Sequence, residues 1–261
     1  MEVIEVTDAT DPRLADFRNL QDADVRPDRR GIVIAEGTNV VTRLATSAYP
    51  IRAVFGVPSK VEVLCSVLAD RDVPIYVCDK WLLSEVVGFR VTRGVLAAAS
   101  RPRPWEPSAL LASARRVVVL EALNDFENLG ALFRNAAAFG VDAVLLDPTC
   151  ADPLYRRSVR VSMGHALRVP FAVLPGAWPG SLALVKSAGL RLLAMTPDPA
   201  AEDLRAVPPP QRWAVLLGAE GPGLSSAAMG HADQQVRIPM AHGVDSLNVA
   251  TAGAIAFAHL A

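Results

Sequence analysis

One stretch of this chain cannot be crossed by any regular element. Arg101-Pro-Arg-Pro-Trp-Glu-Pro107 places three prolines within seven residues. Proline has no backbone N–H and a fixed φ, so it continues neither a helix interior nor a central strand. A linker is therefore expected over residues 101–112, with a domain on each side. At 261 residues the chain is long enough for two ordinary domains, and 51% hydrophobic residues can fill their cores.

The first hundred residues read as a small α/β unit. Apolar spacing from Ile32 to Ala45 predicts a helix, with Glu36 and Arg43 turned outward. Residues 51–55, 73–77 and 94–98 read as strands, and 61–68 and 80–87 as helices. The second part repeats the theme with strands at 116–120, 143–147, 191–195 and 213–217. A helix over 128–139 is stopped by Gly140, and a final helix spans 246–259. Strands alternating with helices predict a mostly parallel sheet covered on both faces. Trp105 and Trp178, beside prolines, are expected as packing anchors, with base stacking by Trp105 the weaker alternative.

Charge narrows the function classes. The chain carries 26 Lys+Arg against 27 Asp+Glu, a formal net charge of -1. That excludes an all-over basic surface gripping nucleic acid indiscriminately, but leaves room for a local patch. Only Lys60, Lys80 and Lys186 are lysines, so a grip on polyanions rests on arginine. The three cysteines, Cys65, Cys78 and Cys150, form no CxxC pair and suit a reducing compartment. The acidic start lacks the basic and apolar regions of a signal peptide, and no apolar run reaches membrane-spanning length. A cytoplasmic location without membrane partner is expected. His165, His231, His242 and His259 show no metal-ligand spacing, so no metal is expected.

Three segments stand out, each after a strand and at the end where open α/β sheets bind ligands. In the first, Asn128, Gly130 and Arg134 open a helix. Free N–H groups there favour anions, and the arginine fork suits phosphate. Spacing alone fits a capping Asn and a solvated Arg equally well. The second, Leu216-Leu-Gly-Ala-Glu-Gly-Pro-Gly-Leu224, has glycines at 218, 221 and 223 that allow close backbone approach to a ligand. Taken alone, the segment reads more readily as a plain strand-to-helix turn. It is neither GxGxxG nor a P-loop. In the third, Ile238-Pro-Met240 leads to Ser246-Leu-Asn-Val249, with Asp245 or Ser246 placed to cap the final helix. That helix is small and apolar on nearly all faces, which implies close packing on two sides or a subunit interface.

Together the segments resemble the three signature motifs of the SpoU (TrmH-like) RNA ribose 2′-O-methyltransferases of the SPOUT superfamily: N-x-G-x-x-x-R, G-x-E-G-x-G, and I-P-M followed by S-L-N-V. Residues 157–164 also resemble the family's middle helix, and 31–37 with 93–97 resemble an L30e-like RNA-binding domain. The resemblance implies an α/β fold in which a smaller L30e-like domain (residues 1–105) precedes a trefoil-knotted methyltransferase domain (residues 113–261). It implies a homodimer through the knotted domain and S-adenosylmethionine as cofactor. Leu217, Gly218, Gly223, Ile238, Met240 and Leu247 would bind that cofactor. Arg134 would act at the ribose 2′-hydroxyl, in a site completed by the partner chain, with Asn128, Glu220, Ser246 and Asn248 orienting the reactants. The partner would be structured RNA, 23S rRNA ahead of tRNA. Arg26, Arg29 and Arg30 form the densest basic group of the first domain, with Arg13 and Arg18 nearby, and they are the candidates for RNA binding. A solvated loop fits the same group. A non-catalytic RNA-binding or ribosome-assembly factor with this fold is the competing class.

Overall fold

The computed structural model describes residues 2–20 and 31–261. Arg26, Arg29 and Arg30 lie outside the described residues. The chain forms two compact units, Met1–Arg103 with Asp152–Arg168, and Pro104–Ala151 with Val169–Ala261.

The first unit holds β1 (Val3–Glu5), β2 (Ile32–Glu36), α1 (Thr38–Ala45), β3 (Ile51–Gly56), α2 (Pro58–Glu62), α3 (Cys65–Leu68), β4 (Ile75–Val77), α4 (Lys80–Val87) and β5 (Val95–Ser100). Its sheet runs β1-β4-β3-β5-β2, with β5 antiparallel to both neighbours. The helix expected over 32–45 is instead a strand and a helix. All five residues of β2 are buried, and a short continuous apolar run does not reveal its period. Gly37, at φ 95°, makes the break between them. Glu36 accordingly does not face out. It is 3% exposed, and its Oε2 accepts from Arg156 Nη1 at 2.7 Å.

The second unit begins with α5 (Pro107–Ser113), inside the expected linker. Pro107 sits in its first turn, where the missing N–H would have no helical partner anyway. Then follow β6 (Arg116–Glu121), α6 (Phe126–Ala138) and β7 (Ala143–Leu146). The next helix, α7 (Arg156–Val161), packs on β2 and belongs to the first unit, not to the second as the sequence reading expects. The chain returns with β8 (Phe171–Val173), α8 (Ala183–Ser187), β9 (Arg191–Met195), β10 (Glu202–Asp203), β11 (Trp213–Gly218), α9 (Ser226–His231), β12 (Gln234–Arg237) and α10 (Val249–Leu260). The sheet runs β10-β12-β9-β11-β6-β7-β8, and every pairing in it is parallel. A fully parallel sheet is buried on both faces, which is why β11 and β6 read as unbroken apolar runs.

Helix α10 closes one face of this sheet. A Cβ on Gly253 would come within 2.6 Å of Leu132 Cδ2 and 3.2 Å of Leu217 Cδ1, so glycine there sets how closely α10 meets α6 and β11. Asn135 Nδ2 donates to the Ala250 carbonyl at 2.8 Å, and Trp213 Nε1 donates to the Leu260 carbonyl at 2.9 Å. The helix starts later than expected. Its cap is Asn248, whose Oδ1 accepts from the backbone N–H of Ala250 and Thr251, and neither Asp245 nor Ser246 fills that role. No helix among the described residues is long and apolar enough to cross a membrane.

Candidate active site

The carboxyl ends of β9, β11 and β12 open into a cavity of about 380 Å³. Its floor is the turn after β11. Gly218 ends the strand, and an antiparallel bridge between Ala219 and Gly223 folds the turn back on itself. Gly221 and Gly223 take φ of 90° and 69°, conformations that L side chains resist. At Gly218 the constraint is different. A Cβ there would lie 2.3 Å from the Gly223 carbonyl carbon and 2.4 Å from Leu224 N.

Each expected cofactor residue lines this cavity: Leu217, Gly218, Gly223, Ile238, Met240 and Leu247. Glu220 and Ser246 line it as well. Sequence reasoning missed Met195, Thr196 and Pro197, which form another wall. They follow β9 directly, and the rule that open parallel sheets bind ligands at strand carboxyl ends was the signal for them.

Two of the remaining expected residues, Asn128 and Asn248, meet Glu220 at the rim. Asn128 is 8% exposed and sits in the first turn of α6. It is not the cap. Asp125 Oδ1 accepts from the N–H of Glu127 and of Asn128, so those two donors are not free for an anion. The Asn128 side chain works elsewhere. Its Nδ2 donates to Glu220 Oε2 at 2.9 Å, and its Oδ1 accepts from Asn248 Nδ2 at 2.7 Å. One residue from each of the three segments thus joins a single hydrogen-bonded chain, Asn248–Asn128–Glu220. Side-chain amides suit the middle and end of this chain, because each offers a donor and an acceptor at once. Replacing Asn128 with aspartate sets a second carboxylate against Glu220. We expect lowered stability at neutral pH, by about 1–3 kcal/mol, from like charge and a lost donor. Urea unfolding of the variant beside wild type at neutral pH checks it.

Arg134 stands apart. It is exposed on α6, has no hydrogen bond or ion pair among the described residues, and does not line the cavity. Within one chain the geometry brings together every expected catalytic residue except this one.

Behind the cavity lies a buried carboxylate that the sequence did not single out. Glu121, at the end of β6 and 6% exposed, accepts from Trp178 Nε1 at 2.6 Å. It also accepts from Ser225 N at 2.8 Å and Ser225 Oγ at 2.7 Å. Ser225 in turn caps α9, immediately after the glycine turn. Glu121 therefore ties the end of the turn to the sheet. Glu121→Ala would leave the indole and amide donors buried without an acceptor. A loss of about 2–4 kcal/mol is expected in equilibrium unfolding, and Glu121→Gln should lose less. Trp178 is thus an anchor as expected, whereas Trp105 is 55% exposed.

With this geometry in view, comparison with known proteins decides the family. The SpoU rRNA Methylase family model matches residues 115–258. The chain belongs to the SpoU rRNA methylase family. A relative from Mycobacterium tuberculosis, the uncharacterized tRNA/rRNA methyltransferase Rv0881, is 50% identical over 98% of this chain and 91% of its own length. The 23S rRNA (guanosine(2553)-2′-O)-methyltransferase RlmP of Bacillus subtilis is 31% identical over 59% of this chain and 61% of that protein. Among solved structures, the AdoMet-bound rRNA methyltransferase from Sinorhizobium meliloti superposes with a TM-score of 0.82 at 25% identity, covering 99% of this chain and 97% of that one. The α/β architecture with its parallel sheet is that of this family's methyltransferases, and this SpoU-family chain is an RNA methyltransferase.

Of the basic residues expected to hold RNA, two are described. Arg13 Nη2 lies 2.6 Å from Asp11 Oδ2, and the guanidinium holds that carboxyl down at about 2. Arg18 Nη2 donates to the Asp11 carbonyl at 2.7 Å. Both are engaged within the chain, and the Asp11 carboxylate offsets the charge of Arg13.

Proposed function

We propose that this protein transfers a methyl group from S-adenosylmethionine to a ribose 2′-oxygen of RNA, with 23S rRNA as the substrate class. The observation that carries the reading is the chain Asn248–Asn128–Glu220 at the rim of a glycine-floored cavity. The cavity suits the cofactor. Ile238, Met240 and Leu247 give apolar walls for an adenine ring, and the 217–224 backbone offers N–H and C=O groups at close range. When bound, S-adenosylmethionine supplies an already activated sulfonium methyl group, so the protein's task is to make the hydroxyl a nucleophile.

Arg134 performs that task by charge. A guanidinium stays protonated, so it cannot act as the general base. It stabilises the forming alkoxide and positions the neighbouring phosphate. Glu220 and Asn128 hold the rim groups in place, and Ser246 faces the same cavity. Arg134's absence from the cavity lining supports a site completed across a homodimer. The outer stripe of α10, Thr251, Ala254, Ile255 and Ala258, supports the same reading, because Ile255 leaves 40% of its surface exposed on a helix otherwise built for packing. We extend the proposal to a trefoil knot in the second unit, an L30e-like RNA-binding role for the first, and a cytoplasmic location.

The test is methyl transfer in vitro. Radiolabelled S-adenosylmethionine, purified protein and transcribed 23S rRNA should yield label in a dinucleotide that resists alkaline hydrolysis, since a 2′-O-methyl group blocks strand cleavage. Label that is released as a methylated base would refute the reading, and tRNA labelled in preference would move the substrate class.

A further inference from the structure

The helix that carries Asn128 and Arg134 leaves the sheet through a strained turn. Strand β6 ends at Glu121, and the next residue, Ala122, takes φ 52°. Alanine resists that left-handed conformation, so its surroundings must enforce it. Asp125 then caps α6, which presents Asn128 in its first turn and Arg134 further along. A helix transmits direction rigidly, so an error in the Ala122 turn displaces both side chains.

The enforcing group is Asp147, the residue after β7, which is 3% exposed. Its Oδ2 accepts from the Ala122 N–H at 2.9 Å. Its Oδ1 accepts from Thr149 N at 2.7 Å, Thr149 Oγ1 at 2.8 Å and Cys150 N at 2.9 Å. One oxygen thus shapes the carboxylate's own turn, and the other reaches across to the connection after β6. Further bonds close the same seam. The Leu120 carbonyl accepts from Asp147 N at 3.0 Å, and the Leu123 carbonyl accepts from Ala151 N at 2.9 Å. Leu123 N donates to Cys150 Sγ at 3.3 Å, and that thiol donates to the Leu120 carbonyl at 3.3 Å. Burial, reinforced by the Asp147 charge, pushes the Cys150 thiol up to about 12, so it keeps the proton this last bond needs. Hydrogen bonds to a carboxylate are strong and directional, so Asp147 fixes the geometry of both connections at once.

We propose that Asp147 is a positioning residue for methyl transfer, holding the Ala122 turn so that α6 presents Arg134 and Asn128 at a fixed angle. The inference rests on the role given to Arg134 above. Asp147 acts through the helix and not on the reacting atoms. The cofactor cavity is lined by residues between 195 and 252, which lie on other connections of the sheet. Loss of the Asp147 bond to Ala122 should therefore slow the transfer far more than it weakens the cofactor. A misplacement of about 1 Å in a group that meets the transition state can cost about 10²-fold in rate.

The test compares Asp147→Asn with wild type, as full chains, with S-adenosylmethionine and transcribed 23S rRNA. Asparagine can keep its oxygen on the Thr149 and Cys150 donors, which turns its amide donors towards the Ala122 N–H and breaks that bond alone. Single-turnover transfer should fall about 10–100-fold, while the cofactor dissociation constant from calorimetry changes by less than about threefold. Glycine takes a positive φ without strain, so in an Ala122→Gly background the loss caused by Asp147→Asn should shrink by about fivefold or more. A wild-type transfer rate in Asp147→Asn overturns the proposal. An equal loss of cofactor affinity overturns it too, since that marks general damage to the fold, and so does an undiminished loss in the Ala122→Gly background. Full activity in Arg134→Ala would refute the role of Arg134, a result separable from the rate of Asp147→Asn. If wild type itself transfers no methyl group, the reaction reading fails, and amide hydrogen exchange still decides what Asp147 holds. Faster exchange at residues 122–128 in Asp147→Asn, with 213–218 unchanged, upholds its hold on the turn, and unaltered exchange at 122–128 overturns it.

Discussion

Replacing Arg134 with alanine should reduce methyl transfer by at least about 10²–10³-fold while leaving S-adenosylmethionine binding and the thermal midpoint unchanged. The argument starts from its isolation. Arg134 is exposed on α6, one and a half turns beyond Asn128, and nothing in the described fold uses its charge. Removing it therefore costs no packing and breaks no ion pair. Its charge acts on an oxygen that becomes anionic only as the reaction proceeds. Groups of that kind lower kcat and kcat/KM together when lost. Lysine in its place keeps the charge but not the planar fork that grips a phosphate and an alkoxide together, so Arg134→Lys should recover little. Single-turnover transfer and calorimetry measure the two halves of the prediction.

The second large effect is expected at Gly218. A methyl group added there meets backbone on every near side: the carbonyl carbon of Gly223 at 2.3 Å, its oxygen at 2.4 Å and Leu224 N at 2.4 Å. No side chain can swing aside, so the turn that floors the cavity must open. Overpacking of this kind costs about 1–3 kcal/mol, which for a chain of this length lowers the thermal midpoint by several degrees. Cofactor affinity should fall about 10–100-fold, because the displaced groups are the cavity floor. Gly221→Ala is the control. That glycine has φ 90° but nothing within 4 Å of an added Cβ, so only left-handed strain of about 1 kcal/mol applies. Equal cofactor loss in both variants would show that strain and not the close approach is what matters.

The contrast between these two glycines also marks what a sequence can reveal. The motif pattern points to the glycine turn, yet which glycine needs open space and which needs a positive φ depends on a bridge formed only in the fold. Strand β9 was legible residue for residue at 191–195, and α4 at 80–87, because each has clear period and boundaries. Strand β2 was not, since five buried residues followed directly by an amphipathic helix give one unbroken apolar run. Glu121 escaped notice for a different reason. Its partners are 57 and 104 residues away, and no local pattern announces a carboxylate that will accept three hydrogen bonds in the interior.

The central claim is ribose methylation of RNA through Arg134. It is tested most directly by mass spectrometry of nucleosides and rRNA fragments from cells with and without the gene, complemented with wild type or Arg134→Ala. The account predicts one 2′-O-methylated nucleotide in 23S rRNA that disappears on deletion, returns with wild type, and stays absent with Arg134→Ala. An unchanged set of ribose methylations on deletion, or full restoration by the Arg134→Ala variant, would contradict it.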